Sequence, residues 1–206
     1  MKEAIVKYQK IINGVYEILK EDFSATTAED MAKQAQERFL ELCEENKNDV
    51  RELKKHTFGR IYPSIAIYET LLDRGMGKEE AASYIREFFL RYCAKTVPHL
   101  KRIIALPGMA KKIPDLFMKI GISAFPIEAG FEYEFPPKKK NEARFNIVSC
   151  PYMKTCQKYG HPELCTVFCD SDDVAYGDMH KDLKWGRTKT IGRGNDCCNF
   201  LLEYTK

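Results

Sequence analysis

The sequence predicts an α+β protein in which an N-terminal helical layer packs on a C-terminal, mostly antiparallel sheet of about four strands with short helices. Apolar residues recur at three-and-four spacing through about the first 120 residues, which is the period of amphipathic helices. After Gly121, apolar and charged residues alternate as in half-buried strands. We therefore divide the chain into a helical region, 1–120, and a cysteine-rich α+β region, 121–206, although the two regions together could also form one compact domain.

The first two helices are predicted from an apolar stripe and a capping signal. The stripe begins at Ala4 and indicates a helix that ends near Lys20. Thr26 and Glu29 match a capping box, in which a hydroxyl and a carboxylate satisfy free amides at a helix start. The second helix is therefore expected to begin at Thr26 and to end near Lys47.

Prolines and glycines delimit the remaining helices of the first region. The pattern predicts a helix over Pro63–Asp73 and another over Lys78–Cys93. A further helical segment, 98–120, is expected to break at Pro107-Gly108 and again near Pro114, because proline lacks the backbone N–H that continues a helix.

Four strands are predicted in the second region. Phe131–Phe135 and Phe145–Val148 alternate apolar and polar residues and are expected to form a hairpin across the basic loop 138–140. Arg187–Ile191 and Asn199–Tyr204 alternate again and are expected to pair across a glycine-rich turn. Two short helices are predicted between the strand pairs, at Met153–Tyr159 and Pro162–Phe168.

Composition narrows the function classes. The net charge of +3 arises from 33 basic and 30 acidic side chains that are interspersed, so we expect no nucleic-acid partner. No stretch approaches the roughly 18 apolar residues of a membrane span, and no signal-peptide pattern occurs, so we expect a cytoplasmic protein without a membrane partner. P-loop, dinucleotide-binding, HExxH and GxSxG motifs are absent. The sequence does not predict the oligomeric state.

Six of the eight cysteines lie between Cys150 and Cys198. In a reducing compartment they are expected to be free thiols, catalytic thiolates or metal ligands. Their spacing does not match the CxxC pattern of common structural zinc sites, so we predict no cofactor, while a divalent metal held by cysteines remains an alternative. Cys169 is the strongest candidate for a chemical role, because the acidic run 170–173 that follows it disfavours burial in an apolar core.

Two stretches, FNIVSCPYMKTCQKYGHPELCTVFCDSDD and WGRTKTIGRGNDCCNFLLEY, resemble the C-terminal signature of the L-2-amino-thiazoline-4-carboxylic acid hydrolase family. The resemblance covers about sixty residues with their order and spacing intact. The matching positions are Cys150, Tyr152, Gly160, Pro162, Glu163, Leu164, Cys169, Asp172, Arg187, Thr188, Thr190, Gly194, Cys198 and Phe200.

The resemblance implies hydrolysis of a cyclic amidine, with ring opening toward a carbamoyl-cysteine. Cys169 would then be the nucleophile, Asp172 the base or the partner of the amidinium, and Arg187 a bidentate clamp for the substrate carboxylate. Cys150 and Cys198 would complete the pocket or join Cys169 as three soft metal ligands. The residues expected to contact a small-molecule substrate are Arg187, Thr188, Thr190, Tyr152, Asp170 and His161.

Three departures from the family pattern lie near the predicted site. Asp170 and Ser171 stand where asparagine and arginine are common, Asp173 replaces an aromatic residue, and Asn199 replaces an aspartate. They change the charge around the site, which concerns the choice of substrate more than the fold. Two alternatives remain: a non-catalytic sensor domain similar to the 4-vinyl reductase type, whose mark would be a large apolar cavity, and a protein-interaction helical bundle.

Overall fold

A computed structural model describes residues 9–137 and 139–206 of the chain. The beginning of the predicted first helix, including Ala4, and Lys138 of the basic loop lie outside the described residues. Helices dominate the first part of the chain and a four-stranded antiparallel sheet lies in the second. The predicted α+β class is therefore confirmed.

The helix predicted over Lys78–Cys93 is longer than predicted and continues to Ile104. The bounds of the helices in the first region are α1 Lys10–Asp22, α2 Ala25–Glu45, α3 Arg51–His56, α4 Tyr62–Asp73, α5 Lys78–Ile104 and α6 Met109–Ala124. A π-helical turn, Thr57–Ile61, joins α3 to α4 without a break. The capping box predicted at Thr26 is wrong, because Ser24 caps α2 and its hydroxyl accepts the Thr27 N–H at 3.2 Å.

One of the two helix breaks predicted from proline is wrong, and the segment expected to begin at Pro98 is part of the preceding helix. Helix α5 continues through Pro98 and α6 continues through Pro114, whereas the break at Pro107-Gly108 is confirmed. At Pro98 the carbonyl that loses its partner belongs to Ala94, which is exposed and can be hydrated. Gly108 ends the first segment with φ +75°, a conformation that glycine adopts without strain.

The sheet has the order β1-β2-β4-β3, and every neighbouring pair is antiparallel. Its strands are β1 Glu132–Glu134, β2 Glu142–Ser149, β3 Leu183–Trp185 and β4 Cys198–Tyr204. The predicted hairpin is confirmed as β1 and β2. In the β2–β4 register, Phe145 lies opposite Phe200 and Ile147 opposite Cys198, which places these side chains on one face.

The strand predicted over Arg187–Ile191 is wrong, because β3 ends at Trp185 and a 3₁₀ turn occupies Ile191–Arg193. In this segment, side-chain hydrogen bonds take the place of some backbone hydrogen bonds between strands. The Asn199 Oδ1 accepts the backbone N–H groups of Thr188 and Lys189, at 2.9 and 2.6 Å. A segment whose amides are satisfied by a side chain has less need of a neighbouring strand.

Two helices lie between β2 and β3: α7, Pro151–Lys158, and α8, Cys165–Tyr176. Helix α8 extends well past Phe168, where the sequence predicted its end. Cys169 therefore lies inside a helix rather than at the point where the chain leaves the core. Its spacing of three and four residues to Asp172 and Cys165 places these side chains on one face of α8.

Both predicted regions contribute to one cluster of buried residues. Val15, Phe39 and Tyr68 of the helical region belong to the same cluster as Phe131 and Cys198 of the second region. The helical layer thus packs directly on the sheet and on α8. None of the described helices is long and apolar enough to cross a membrane.

Candidate active site

A cavity of about 80 Å³ lies between the sheet, α6, α8 and the π-helical turn. A single water needs roughly 10–15 Å³ on such a measure, so the space admits several waters or a small ring. The polar residues that line it are Arg60, Cys150, Tyr152, Cys165, Cys169, Asp172, Tyr176, Arg187 and Cys198. Aromatic side chains form much of the remaining wall, among them Phe117, Phe125, Phe131, Phe145, Phe168 and Phe200.

Cys150 occupies the N-cap position of α7, where free backbone amides stabilise negative charge. The hydrogen bond from the Cys165 thiol lowers the pKa of Cys150, and so do the backbone N–H groups of Met153 and Tyr152. Burial and the nearby Asp172 act in the opposite direction without reversing the shift. Cys150 is also the one cysteine of the eight that is not fully buried.

Cys165 and Cys169 lie one turn apart on α8. A hydrogen bond from Cys165 lowers the pKa of Cys169, assisted by Arg187 and opposed by burial and by Asp172. The Cys165 thiol has a single proton and can donate it to only one neighbouring sulfur at a time. Cys150 has additional support from two backbone amides, so it is the thiol better suited to be the nucleophile.

Gly192 allows the 3₁₀ turn Ile191–Arg193 to approach this thiol cluster. A Cβ at Gly192 would lie 2.8 Å from the Cys169 Sγ, closer than such atoms normally come. The next residue of the wall is Cys198, whose Sγ accepts the Ile191 N–H at 3.2 Å. Burial raises the pKa of Cys198 to about 12, so this cysteine is a neutral part of the wall at physiological pH.

The sequence left open a metal bound by Cys150, Cys169 and Cys198. Among residues 9–137 and 139–206, no group of three histidine, cysteine, aspartate or glutamate side chains is arranged to hold a metal ion.

Asp172 is the carboxylate of the cavity. About a third of its side chain, 33%, is accessible, while the protein around it excludes most bulk water. This burial raises the pKa of Asp172 to about 6, and Arg187 and Arg60 limit the shift. Asp172 is thus mostly ionised at pH 7 and close enough to its pKa to exchange protons.

Arg187 is fully engaged by the protein. Its side chain is 1% exposed, and Nη1 donates to the Asp172 Oδ2 at 3.0 Å. Nη2 lies 2.8 Å from the Asp173 Oδ2 and donates to the Cys169 carbonyl at 2.6 Å. These contacts use most of the Arg187 donors and fix α8, so few donors are left for the carboxylate clamp that the sequence predicts.

Arg60 is a cation that the sequence reasoning missed. It lies in the π-helical turn Thr57–Ile61, lines the cavity and is exposed to it. Its guanidinium is hydrogen-bonded to the Tyr152 hydroxyl, and within the described part of the chain it forms no ion pair with a carboxylate. No periodicity marks this position, because the sequence pattern placed a helix start at Pro63 and left the preceding turn unassigned.

His56 supports Tyr152 from behind the cavity wall. Burial lowers the pKa of His56 to about 4, and Arg60 adds to the shift, so the ring is neutral at pH 7. One ring nitrogen bonds to the Ala124 carbonyl, and Nδ1 lies 3.2 Å from the Tyr152 hydroxyl. Nδ1 therefore accepts a hydrogen bond from the Tyr152 hydroxyl, and the Tyr152 oxygen can in turn accept a hydrogen bond from Arg60.

Six predicted site residues line one cavity: Cys150, Tyr152, Cys169, Asp172, Arg187 and Cys198. The other four lie elsewhere. Asp170 pairs with Arg86 at 3.0 Å and with Arg193, and His161 Nε2 lies 3.2 Å from Glu69 Oε1. Thr188 is exposed and accepts a hydrogen bond from Asn199 at 2.9 Å, whereas Thr190 is buried ahead of the 3₁₀ turn.

Those four residues do not line the cavity, because the fold places them beside residues outside it. Asp170 is two residues from Asp172, a spacing that places it on another face of α8. We do not include the four in the proposed site.

Comparison with known proteins gives a match at the level of a family. The family model described as L-2-amino-thiazoline-4-carboxylic acid hydrolase matches residues 54–202. The matched segment includes the π-helical turn, strands β1 to β3, most of β4 and every residue that lines the cavity. Searches of curated proteins and of solved structures gave no match.

Proposed function

The chain belongs to the L-2-amino-thiazoline-4-carboxylic acid hydrolase family, and from this membership we propose that it is a hydrolase that opens a cyclic amidine or amide at a carbon–nitrogen bond. A substrate of the family type would be converted toward a carbamoyl-cysteine. The family name supports a hydrolase, and the cavity supplies the groups that such a reaction needs.

One observation carries the proposal: Cys150, Asp172 and Arg60 line the same cavity with complementary chemistry. Cys150 is a thiol with a lowered pKa, Asp172 is a carboxylate with a pKa of about 6, and Arg60 is a cation without a carboxylate partner among the described residues. A nucleophile, a proton carrier and an anion-binding group are the minimal set for ring opening of a carboxylated cyclic amidine.

In the first step, the Cys150 Sγ forms a bond to the amidine carbon while the ring carbon–nitrogen bond breaks. The amidinium pairs with Asp172, whose two oxygens move one proton from the exocyclic nitrogen to the departing ring nitrogen. In the second step, water adds to the same carbon, and Asp172 passes one proton of the water to the nitrogen that remains on that carbon. The Sγ–carbon bond then breaks, which returns the thiolate and leaves the water oxygen on the product as a carbonyl, while the remaining hydroxyl proton goes to the released amine.

Different arginines would bind the substrate and position Asp172. Arg60 would bind the substrate carboxylate, with the Tyr152 hydroxyl, itself bonded to His56, holding the guanidinium in place. Arg187 acts through Asp172, because its donors are already used by Asp172, Asp173 and the Cys169 carbonyl. Arg187 is thus a positioning residue, and Arg60 is the substrate-binding arginine.

The experiment is a panel of 2-aminothiazoline carboxylates, cyclic amidines and lactams, followed by mass spectrometry of the products. We expect at least one member to gain the mass of one water at a rate that Cys150→Ala abolishes. The matched control is Cys197→Ser, since Cys197 is buried outside the cavity lining. Absence of turnover across the panel, with a folded protein shown by circular dichroism, would reject the proposal.

A second candidate function is a non-catalytic sensor of the 4-vinyl reductase type. It is favoured by a larger apolar groove beside the cavity, because ligand-binding domains of this kind need an apolar enclosure. A sensor binds a ligand without changing it. Ligand binding by calorimetry, with the ligand recovered intact and Cys150→Ala binding as well as the wild type, would favour this reading.

A further inference from the structure

A groove of about 650 Å³ runs between α5, α6 and α8. Small-molecule sites generally measure about 300–1,000 Å³, so the groove has the size of a ligand site. Its lining is mainly apolar and includes Phe88, Phe89, Leu100, Ile103, Met109, Ile113, Leu116, Phe117, Ile120 and Met179. It is wider than the small ring of the family substrate requires.

The groove adjoins the candidate active site. Arg60 and Asp172 line both the cavity and the groove, and so do Phe117, Phe125 and Tyr176. A molecule whose polar end contacts Asp172 and Arg60 would therefore lie at the boundary between the two spaces. This adjacency suits a substrate with two chemically different ends.

The outer wall of the groove exposes large apolar side chains to solvent. Ile120 is 64% exposed, Ile103 52% and Leu116 38%. Single exposed apolar residues are ordinary, but several that line one groove form a patch of the kind that contacts an apolar ligand. The charged side chains of the groove are few: Arg60 and Asp172 at the junction with the cavity, and Lys10.

We propose that the natural substrate is amphipathic: a carboxylated cyclic amidine or amide whose ring enters the cavity and whose unbranched or aromatic apolar substituent lies in the groove. This inference rests on the proposed function, and it assigns a larger substrate than the family type. Arg60 at the junction binds the carboxylate between the two compartments. The polar end is thereby held at Cys150, and the apolar end gains its affinity by leaving water.

The first test measures turnover of a series that carries ethyl, butyl, hexyl and octyl substituents on one cyclic amidine carboxylate. Burial of a methylene contributes about 0.8 kcal/mol, so kcat/KM is expected to rise by up to about fourfold per methylene until the groove is filled. A flat series with measurable turnover of its smallest member would overturn the groove assignment and leave the hydrolase proposal standing.

The second test does not depend on turnover. Binding of butyl, hexyl and octyl carboxylates, below their micelle concentrations, is measured by calorimetry on the full chain. Affinity should rise with chain length in the wild type, and Ile120→Glu should remove that dependence. The matched control is Ile127→Glu, because Ile127 is similarly exposed, at 68%, and does not line the groove.

Three outcomes separate the two proposals. Chain-length-dependent binding without turnover of any cyclic substrate would keep the apolar site and reject the hydrolase. Equal effects of Ile120→Glu and Ile127→Glu would reject the groove as the binding site. Concentration-dependent self-association that Ile120→Glu abolishes, with no carboxylate binding, would show that the groove contacts another copy of the chain and would overturn the proposal.

Discussion

Arg187 donates from Nη1 to the Asp172 Oδ2 at 3.0 Å, and its buried guanidinium links Asp172 to Asp173 one residue further along α8. Two adjacent carboxylates would otherwise repel each other beside the cavity. The guanidinium also lies over the rings of Trp185 and Phe200, at 5.7 and 5.4 Å from their centroids. These contacts use most of the Arg187 hydrogen-bond donors within the protein.

Replacing Arg187 with methionine should therefore destabilise the fold. Loss of a hydrogen bond to a charged group costs about 1.5–3 kcal/mol, and here Asp172 and Asp173, which are 33% and 41% exposed, lose the cation between them. The free energy of unfolding in urea checks this. Arg187→Lys should recover part of the loss, since it restores the charge without the planar fork. A loss below about 0.5 kcal/mol, the range of ordinary surface substitutions, would contradict the assignment.

Replacing Arg60 with methionine should instead weaken substrate binding in a folded protein. A hydrogen bond to a charged group contributes about 1.5–3 kcal/mol, so kcat/KM should fall by about tenfold to a hundredfold, mainly through KM. Steady-state kinetics on the best substrate of the panel provides the measurement. Arg102→Met, on the exposed face of α5, is the control and should leave kinetics unchanged. If the Arg60 variant has a normal KM, a residue other than Arg60 binds the substrate carboxylate.

Cys150 and Cys169 should differ in reactivity. Because Cys150 caps α7 and has the support of two backbone amides, iodoacetamide at neutral pH should label it first, as peptide mapping would show. Turnover should be lost in Cys150→Ala and only reduced in Cys169→Ala. If Cys169 is labelled first and its alanine variant is inactive, the nucleophile is the one that the sequence predicted.

Asp172 should produce an acidic limb in the pH profile. The proposed reaction needs the ionised carboxylate, and burial raises the pKa of Asp172 to about 6, so kcat/KM should rise between pH 5 and 7 with an inflection near 6. Asp172→Asn should lower the rate and remove this inflection. The control Asp178→Asn, an exposed substitution just after the end of α8, should keep the inflection. An unchanged limb in Asp172→Asn would assign the inflection to another group.

His56 should make the fold less stable in mild acid. Its pKa is lowered from about 6.5 to about 4 by folding, so the unfolded chain binds a proton first as the pH falls. Between pH 7 and 5 this contributes a loss of about 2 kcal/mol in the free energy of unfolding. Asp172 has the opposite effect. Its pKa is raised in the folded state, so protonation of Asp172 adds to the free energy of unfolding as the pH falls below 6. His56→Asn, compared with the wild type in urea at both pH values, should show a smaller loss; an equal loss would contradict the assignment.

The sequence determined the fold class, the β1–β2 hairpin and the break at Pro107-Gly108, because each depends on residues close together in the chain. A helical period, a two-residue alternation and a Pro-Gly pair report local backbone preferences directly. The last third of the chain also supplied six residues that line the cavity. The strand predicted over Arg187–Ile191 failed because the side chain of Asn199, in a different element, satisfies its amides.

Only the tertiary structure decided which side chains line one cavity and which partners they have. Arg187 is paired with Asp172 and Asp173, whereas Arg60 lines the same cavity without an ion pair to a carboxylate among the described residues. The preference for Cys150 over Cys169 has the same origin, since it depends on a helix start and on Cys165 in another helix. Pairing and burial involve residues far apart in the chain, and no local pattern in the sequence records them.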